Sequence, residues 1–355
     1  MNNLEKYQSL LKDGAVDALL LTSQVSRMYA AQYDVAEGVA VIGRTESFYF
    51  TDSRYIEVAQ DNLGAFTVQE IDREHPYFQR INAALETLGA KTLGIEEQYL
   101  TYGEFLTYEK KLNAKLVPSQ QAISRFRHVK EDWELERMRK AQAITDKTFE
   151  KICGIIHAGM TEKEVAAELI YSMYSLGAEG LSFQPIVVSG PNTSKPHGVP
   201  GDRKLAYGDF VTMDFGCIVD GYCSDMTRTV AIGFVSDEMA RVYETVLRAQ
   251  EAGIAATRAG VSGQAVDGAA RKVIADAGYG AYFGHGYGHS VGLEIHEAPN
   301  CNPSNDQPLA AGVVCSAEPG IYLPGKFGVR IEDVVVVREN GCEDLTASPK
   351  NLIVL

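Results

Sequence analysis

Six short apolar runs rich in β-branched and aromatic residues punctuate the first third of the chain, at 18–22, 38–42, 47–51, 66–71, 92–95 and 115–117. Runs of this length bounded by turn residues predict strands, and the helix-forming stretches between them predict an α/β sheet. Asp52 marks the start of a helix over 53–61, and Thr101 with Glu104 forms a capping box ahead of a helix over 105–112. Beyond a charged stretch at 125–131 the period changes. Leu135, Met138, Ile144, Phe149 and Ile152 recur at near-helical spacing, which predicts one long amphipathic helix over 132–157. The domain boundary falls here, giving an N-terminal α/β domain over 1–124 and a second domain over 125–355.

The second domain repeats itself. Ala158-Gly159-Met160-Thr161 followed by Val165 matches Ala259-Gly260-Val261-Ser262 followed by Val266, each reading as one helix end and the next helix start. Leu205-Ala206-Tyr207-Gly208 leading to Asp214-Phe215-Gly216 matches Leu309-Ala310-Ala311-Gly312 leading to Glu318-Pro319-Gly320, and His197-Gly198-Val199-Pro200 echoes His296-Glu297-Ala298-Pro299. Three matches in the same order at similar intervals predict two helix–helix–strand–strand copies about a pseudo-twofold axis. An acidic residue from equivalent strands of each copy would then meet its counterpart in the middle.

At 355 residues the chain exceeds the usual size of one hydrophobic core, in keeping with two domains. Its formal net charge of −14, with no polybasic run, removes the electrostatic basis for holding nucleic acid, so nucleic acid is not an expected partner. No stretch approaches the roughly 20 apolar residues of a membrane span, and the polar first residues do not read as a secretory signal. Six scattered cysteines without a C-x-x-C pair suggest buried thiols and a cytoplasmic location.

The candidate chemistry lies in the repeats. Residues 210–216 and 222–230 read as two strands of a hairpin turned at Asp220-Gly221, which sets position 214 opposite 227 and makes Asp225 the diagonal neighbour of Asp214. Asp214 interrupts an apolar strand, where a lone charge carries a desolvation cost of several kcal/mol. The glycine-dense run Gly284-His285-Gly286-Tyr287-Gly288-His289 lets backbone approach a ligand, and His285, His289 and His296 cluster in a chain holding only seven histidines. Glu318 and Glu332 enter β-rich runs, and strand alternation places Arg330 and Glu332 on one face. Four carboxylates and one imidazole suit a pair of divalent ions about 3.5–4 Å apart that share a hydroxide nucleophile.

In these residues the sequence resembles the pita-bread metallopeptidases, specifically the prolidase and aminopeptidase P group. The match covers the chain from about residue 125, with all five ligand positions, both H-x-x-P histidines and the R-x-E segment in order. The resemblance implies an α+β protein, a creatinase-like N-terminal α/β domain followed by a pseudo-twofold pita-bread catalytic domain. It implies hydrolysis of Xaa-Pro bonds in a small peptide substrate with proline in the second position. Asp214, Asp225, His289, Glu318 and Glu332 would hold two divalent ions, manganese or cobalt favoured and zinc possible. His197 and His296 would bind the substrate carbonyl and steady the tetrahedral intermediate, Glu318 would pass the proton, and Arg330, Tyr322 and His285 would support them. A homodimer is the expectation for this group. The segment 26–38 lacks the aromatic-Thr-Gly turn common in relatives, which keeps both a dipeptidase and a longer-peptide aminopeptidase open. The competing readings are a metal-free hydrolase like creatinase and a catalytically inactive pita-bread binding module.

Overall fold

A computed structural model describes residues 2–355. The chain divides into a first unit ending at Phe126 and a second running Arg127–Leu355.

The first unit contains α1 (Asn3–Leu10), β1 (Ala18–Leu21), α2 (Gln24–Ala31), β2 (Val39–Ile42), β3 (Ser47–Thr51), α3 (Ile56–Asn62), β4 (Thr67–Glu70), α4 (Tyr77–Leu88), β5 (Thr92–Ile95), α5 (Tyr102–Lys111), β6 (Lys115–Pro118) and α6 (Gln120–Ser124). All six predicted strands form, in the order β4-β3-β2-β1-β5-β6. The pairings are mixed: β1, β2 and β3 are antiparallel neighbours, whereas β3–β4, β1–β5 and β5–β6 are parallel. Strands β1, β2 and β3 are buried along their whole length, which explains their continuous apolar character. The helix predicted over 53–61 begins later, at Ile56, because the Asp52 carboxylate takes the Arg54 backbone N–H and guanidinium and so stabilises a turn instead of capping a helix. The Thr101–Glu104 box is present, but inside the first turn of α5, so that helix starts at Tyr102.

The second unit opens with α7 (Asp132–Cys153), α8 (Glu162–Ser175), β7 (Gly180–Leu181), β8 (Ile186–Ser189), β9 (Phe210–Phe215), β10 (Cys217–Val219), β11 (Tyr222–Cys223) and β12 (Met226–Ala231). It continues with α9 (Asp237–Ala256), α10 (Gly263–Asp276), β13 (Gly288–Ser290), β14 (Glu297–Cys301), β15 (Val314–Ala317), β16 (Gly320–Leu323), β17 (Phe327–Arg330), β18 (Asp333–Arg338) and β19 (Gly341–Asp344). The long helix predicted to reach 157 stops at Cys153, where Gly154 and Ile155 turn to carbonyls three residues back and tighten the last turn.

The repeat is visible bond for bond. Gly159 donates to the Leu205 carbonyl and Leu205 to that of Met160, while Gly260 donates to the Leu309 carbonyl and Leu309 to that of Val261. Thr161 caps α8 as Ser262 caps α10. Strand β9 pairs antiparallel with β8 and β12, just as β15 pairs with β13 and β18. Each half packs its helix pair over its own apolar cluster, with Val165 in one and Val266 in the other fully buried. The halves are bolted together by Arg228 of β12, which is buried. Its guanidinium makes five hydrogen bonds, to the carbonyls of Thr227, Glu332, Ser348 and Pro349 and to the Asp333 carboxylate.

Candidate active site

The predicted register of the first hairpin is observed. Asp214 lies opposite Thr227, and the turn at Asp220-Gly221 has positive φ at both residues, as a tight hairpin turn requires. Asp214 sits near the end of β9 and Glu318 immediately follows β15. Asp225 immediately precedes β12 and Glu332 immediately precedes β18. The four carboxylates are therefore two pairs related by the internal repeat. His289 breaks the symmetry. Ser290 pairs with Cys315 as Ser189 pairs with Val211, so His289 occupies the place held by buried Val188 in the first half.

Arg330 and Glu332 do not lie on one strand as the alternation predicted. Strand β17 ends at Arg330 and pairs with β16, and β18 begins at Asp333 and pairs with β15. The chain changes partner between them because the Glu332 N–H is drawn to the Thr227 carbonyl of β12. Both side chains still reach the same cavity.

That cavity, of about 560 Å³, is lined by Asp214, Asp225, His289, Glu318 and Glu332, and also by His197, His285, His296 and Arg330. Tyr322 lies behind it, with its hydroxyl 2.9 Å from His285 Nε2 and 3.0 Å from Arg330 Nη1. Asp225, His289 and Glu332 each offer a donor atom within 4.8 Å of the others. His289 Nε2 lies 3.3 Å from Glu318 Oε1 and 3.6 Å from Asp225 Oδ2. The His296 ring packs edge-on against His289 with centroids 4.4 Å apart.

Electrostatics mark this cluster. Burial first, then the Asp214 and Glu318 charges, push Asp225 well above the usual carboxylate range. Burial followed by Asp225 does the same to Glu332, and burial raises Glu318. His285 and His289 are held below the ordinary imidazole value by burial, which favours the neutral form that can donate a lone pair to a metal. Burial pushes the Tyr322 hydroxyl up to about 12, so it stays a hydrogen-bond donor at neutral pH. Asp214 Oδ2 accepts from Arg330 Nη2 at 2.6 Å, but its Oδ1 is buried with no hydrogen-bond partner among the described residues. A bare buried carboxylate oxygen is costly, and a divalent cation would supply the missing partner. The donor set therefore fits hard, oxygen-preferring ions.

Several supporting residues escaped the sequence reading. Thr227 accepts from Arg330 Nε at 3.0 Å and donates to Glu332 Oε2 at 2.6 Å. The register that placed it opposite Asp214 was the signal that could have found it. Ser316 accepts from the His289 backbone N–H and donates to Glu318 Oε1 at 3.1 Å. Phe183, Gln184, Pro185 and Ile186, from a segment assigned no strand beforehand, form one wall of the cavity.

Comparison with known proteins agrees with this geometry. Residues 136–339 match metallopeptidase family M24, and residues 3–129 match the creatinase/prolidase N-terminal domain. The solved structure of an Xaa-Pro dipeptidase from Bacillus anthracis superposes with a TM-score of 0.96 at 38% identity, covering 99% of each chain. An X-Pro aminopeptidase from Thermotoga maritima superposes with a TM-score of 0.93 at 37% identity, covering 100% of each. The Xaa-Pro dipeptidase of Pyrococcus horikoshii is 33% identical over 99% of this chain and 98% of its own length. No helix among the described residues is long and apolar enough to cross a membrane. The chain is thus a metallopeptidase of family M24, with a creatinase/prolidase N-terminal domain in front of its pita-bread catalytic unit.

Proposed function

We propose that the chain is an exopeptidase that hydrolyses Xaa-Pro bonds, with Asp214, Asp225, His289, Glu318 and Glu332 holding two divalent ions. The observation that carries this reading is the convergence of those five side chains on one cavity, with an orphaned Asp214 oxygen among them. The preference for proline rests on the relatives, which are dipeptidases and an aminopeptidase of that specificity. The oxygen-rich donor set favours manganese or cobalt, with zinc possible. When bound, such ions polarise a peptide carbonyl and acidify a water so that it is nucleophilic at neutral pH.

The chain's own residues do the rest. Glu318, with one oxygen steadied by Ser316, takes the water's proton and hands it to the departing imino nitrogen. His197 and His296, both on the cavity wall, donate to the carbonyl oxygen as it gains charge. Arg330 ties Asp214, Thr227 and Tyr322 into one rigid support, and the Tyr322 hydroxyl orients His285. Phe183, Ile186 and Ile295 form an apolar surface suited to a pyrrolidine ring. Five intact metal-binding positions disfavour a non-catalytic binding module. A cytoplasmic homodimer is the setting we propose.

The test strips the protein with chelator and follows release of the first residue from an Xaa-Pro dipeptide and an Xaa-Pro tripeptide, with manganese, cobalt or zinc restored separately. Metal-dependent cleavage is expected. Cleavage of the dipeptide alone identifies a dipeptidase, and of the longer peptide alone an aminopeptidase. Failure of the metal-loaded protein on every Xaa-Pro peptide overturns the reading.

A further inference from the structure

Glu96, Glu134, Glu162 and Glu297 are buried outside the metal cluster and line no part of the cavity, and the last two of them hold its rim. Each of those two is anchored to a loop that carries one of the two repeat-related histidines.

Glu162, the first residue of α8, grips both ends of the segment that holds His197. Its Oε1 accepts from the Ser189 N–H at 2.7 Å, the Ser189 hydroxyl at 2.8 Å and the Asn192 amide at 3.1 Å. Its Oε2 accepts from the Gly201 N–H at 2.9 Å. The segment between these anchors is tied at its middle by Arg330 Nη1, which donates to the Pro196 carbonyl beside His197.

Glu297 adjoins His296 directly. Its Oε1 accepts from Arg127 Nη1 at 3.2 Å and from the Glu294 N–H at 3.3 Å, and its Oε2 lies 2.9 Å from Lys130 Nζ. Arg127 also holds the Glu294 carboxylate at 2.8 Å, so both ends of the turn 294–297 hang on one guanidinium. The two cations hold the Glu297 carboxyl below the usual range in spite of burial, so it remains a charged anchor.

The repeat makes the arrangement pointed. The counterpart of Glu162 in the second half is Gly263, where an added Cβ would lie 2.3 Å from the Asn300 carbonyl oxygen. The counterpart of Glu297 in the first half is Gly198, where a Cβ would lie 2.5 Å from Val188 Cγ1. Each half thus locks its histidine loop with a glutamate at a place where the other half closes up on a glycine. A buried carboxylate with several donors is a rigid peg, and a histidine that must meet a developing oxyanion loses rate steeply when displaced by as little as about 1 Å.

We infer that Glu162 and Glu297 are positioning residues for His197 and His296 respectively, each acting through the loop it locks. The inference rests on the function proposed above and deepens it. Glu162→Gln and Glu297→Gln in the full-length, metal-loaded protein are expected to lower kcat/KM about tenfold or more while metal content stays unchanged. In a His296→Ala background Glu297→Gln should cost less than about twofold, and likewise Glu162→Gln in His197→Ala, whereas the crossed combinations should multiply in full. Where a glutamine variant does not fold, the aspartate variant keeps the charge, shortens the reach and carries the same expectation. Loss of metal from the glutamate variants, or losses that multiply within a matched pair, overturn the inference. A second readout separates its failure from that of the function. In 15N-histidine-labelled protein, Glu297→Gln should move the His296 ring signals and leave His197 in place, and Glu162→Gln the reverse. Both histidines moving together, or neither, refutes the positioning roles whatever the substrate.

Discussion

The first half of the catalytic unit offers Asp214 and Asp225 to the cavity, whereas the second offers Glu318, Glu332 and, where the first has Val188, His289. The supports differ as well. Asp214 is fastened by the Arg330 guanidinium, while Glu318 is touched by the Ser316 hydroxyl and keeps a raised pKa. An internal repeat explains why carboxylates come in pairs, and its imperfections explain how equivalent positions acquire different duties. One acid is fastened by a guanidinium and its counterpart is held by a hydroxyl.

The sharpest way to break this comparison is to remove one member of a repeat-related pair. Asp225→Asn and Glu332→Gln are both expected to lower metal-dependent kcat/KM by more than about a hundredfold, beyond what loss of a supporting residue costs. A severe loss in one and a mild loss in the other, measured under saturating metal, would show that the pair is related in shape only. The odd imidazole is next. His289→Ala makes the second half resemble the first, and elemental analysis after dialysis should find one ion per chain in place of two.

Acidity probes the raised carboxylates. Asp225, Glu318 and Glu332 bind protons more tightly folded than unfolded, so the metal-free chain gains stability as pH falls from neutrality toward the ordinary carboxylate value of about 4 and loses it as pH rises through the raised values. Glu297 and Asp333 are lowered, and their contribution runs oppositely, present above that ordinary value and lost as pH falls through their own. Protons compete with metal at the raised group, so the Tm gap between metal-loaded and metal-free protein should narrow over the same window. A gap independent of pH contradicts the assignment of these acids as ligands. The smallest effect concerns packing. Gly263→Ala forces a Cβ onto the Asn300 carbonyl and should cost about 1–3 kcal/mol, a Tm drop of several degrees, with little change in kcat. Gly268→Ala, in open space on the same helix, serves as the control.

Local signals carried much of this molecule into its sequence. The six strands of the first sheet and the Asp220-Gly221 turn are dictated by residues within a few positions of each other, and the turn alone set Asp214 against Thr227. The cavity-lining acids and histidines stood out because charge within apolar runs is costly. What could not be read depends on partners far along the chain. Nothing near Glu332 announces that its N–H will leave the strand for Thr227, and nothing near Glu162 announces Gly201. Asp52 looked like a helix cap because its competing partner, Arg54, is equally local, and geometry decided between them.

Arg228 has a consequence for how the enzyme comes into being and how it is lost. With all five of its donors spent on bonds that include a carboxylate and three carbonyls of the opposite half, neither half satisfies that buried guanidinium alone. The five side chains proposed to hold the metal straddle the same seam. A chain with only one half folded is therefore expected to lack the activity altogether, not to show a weaker form of it.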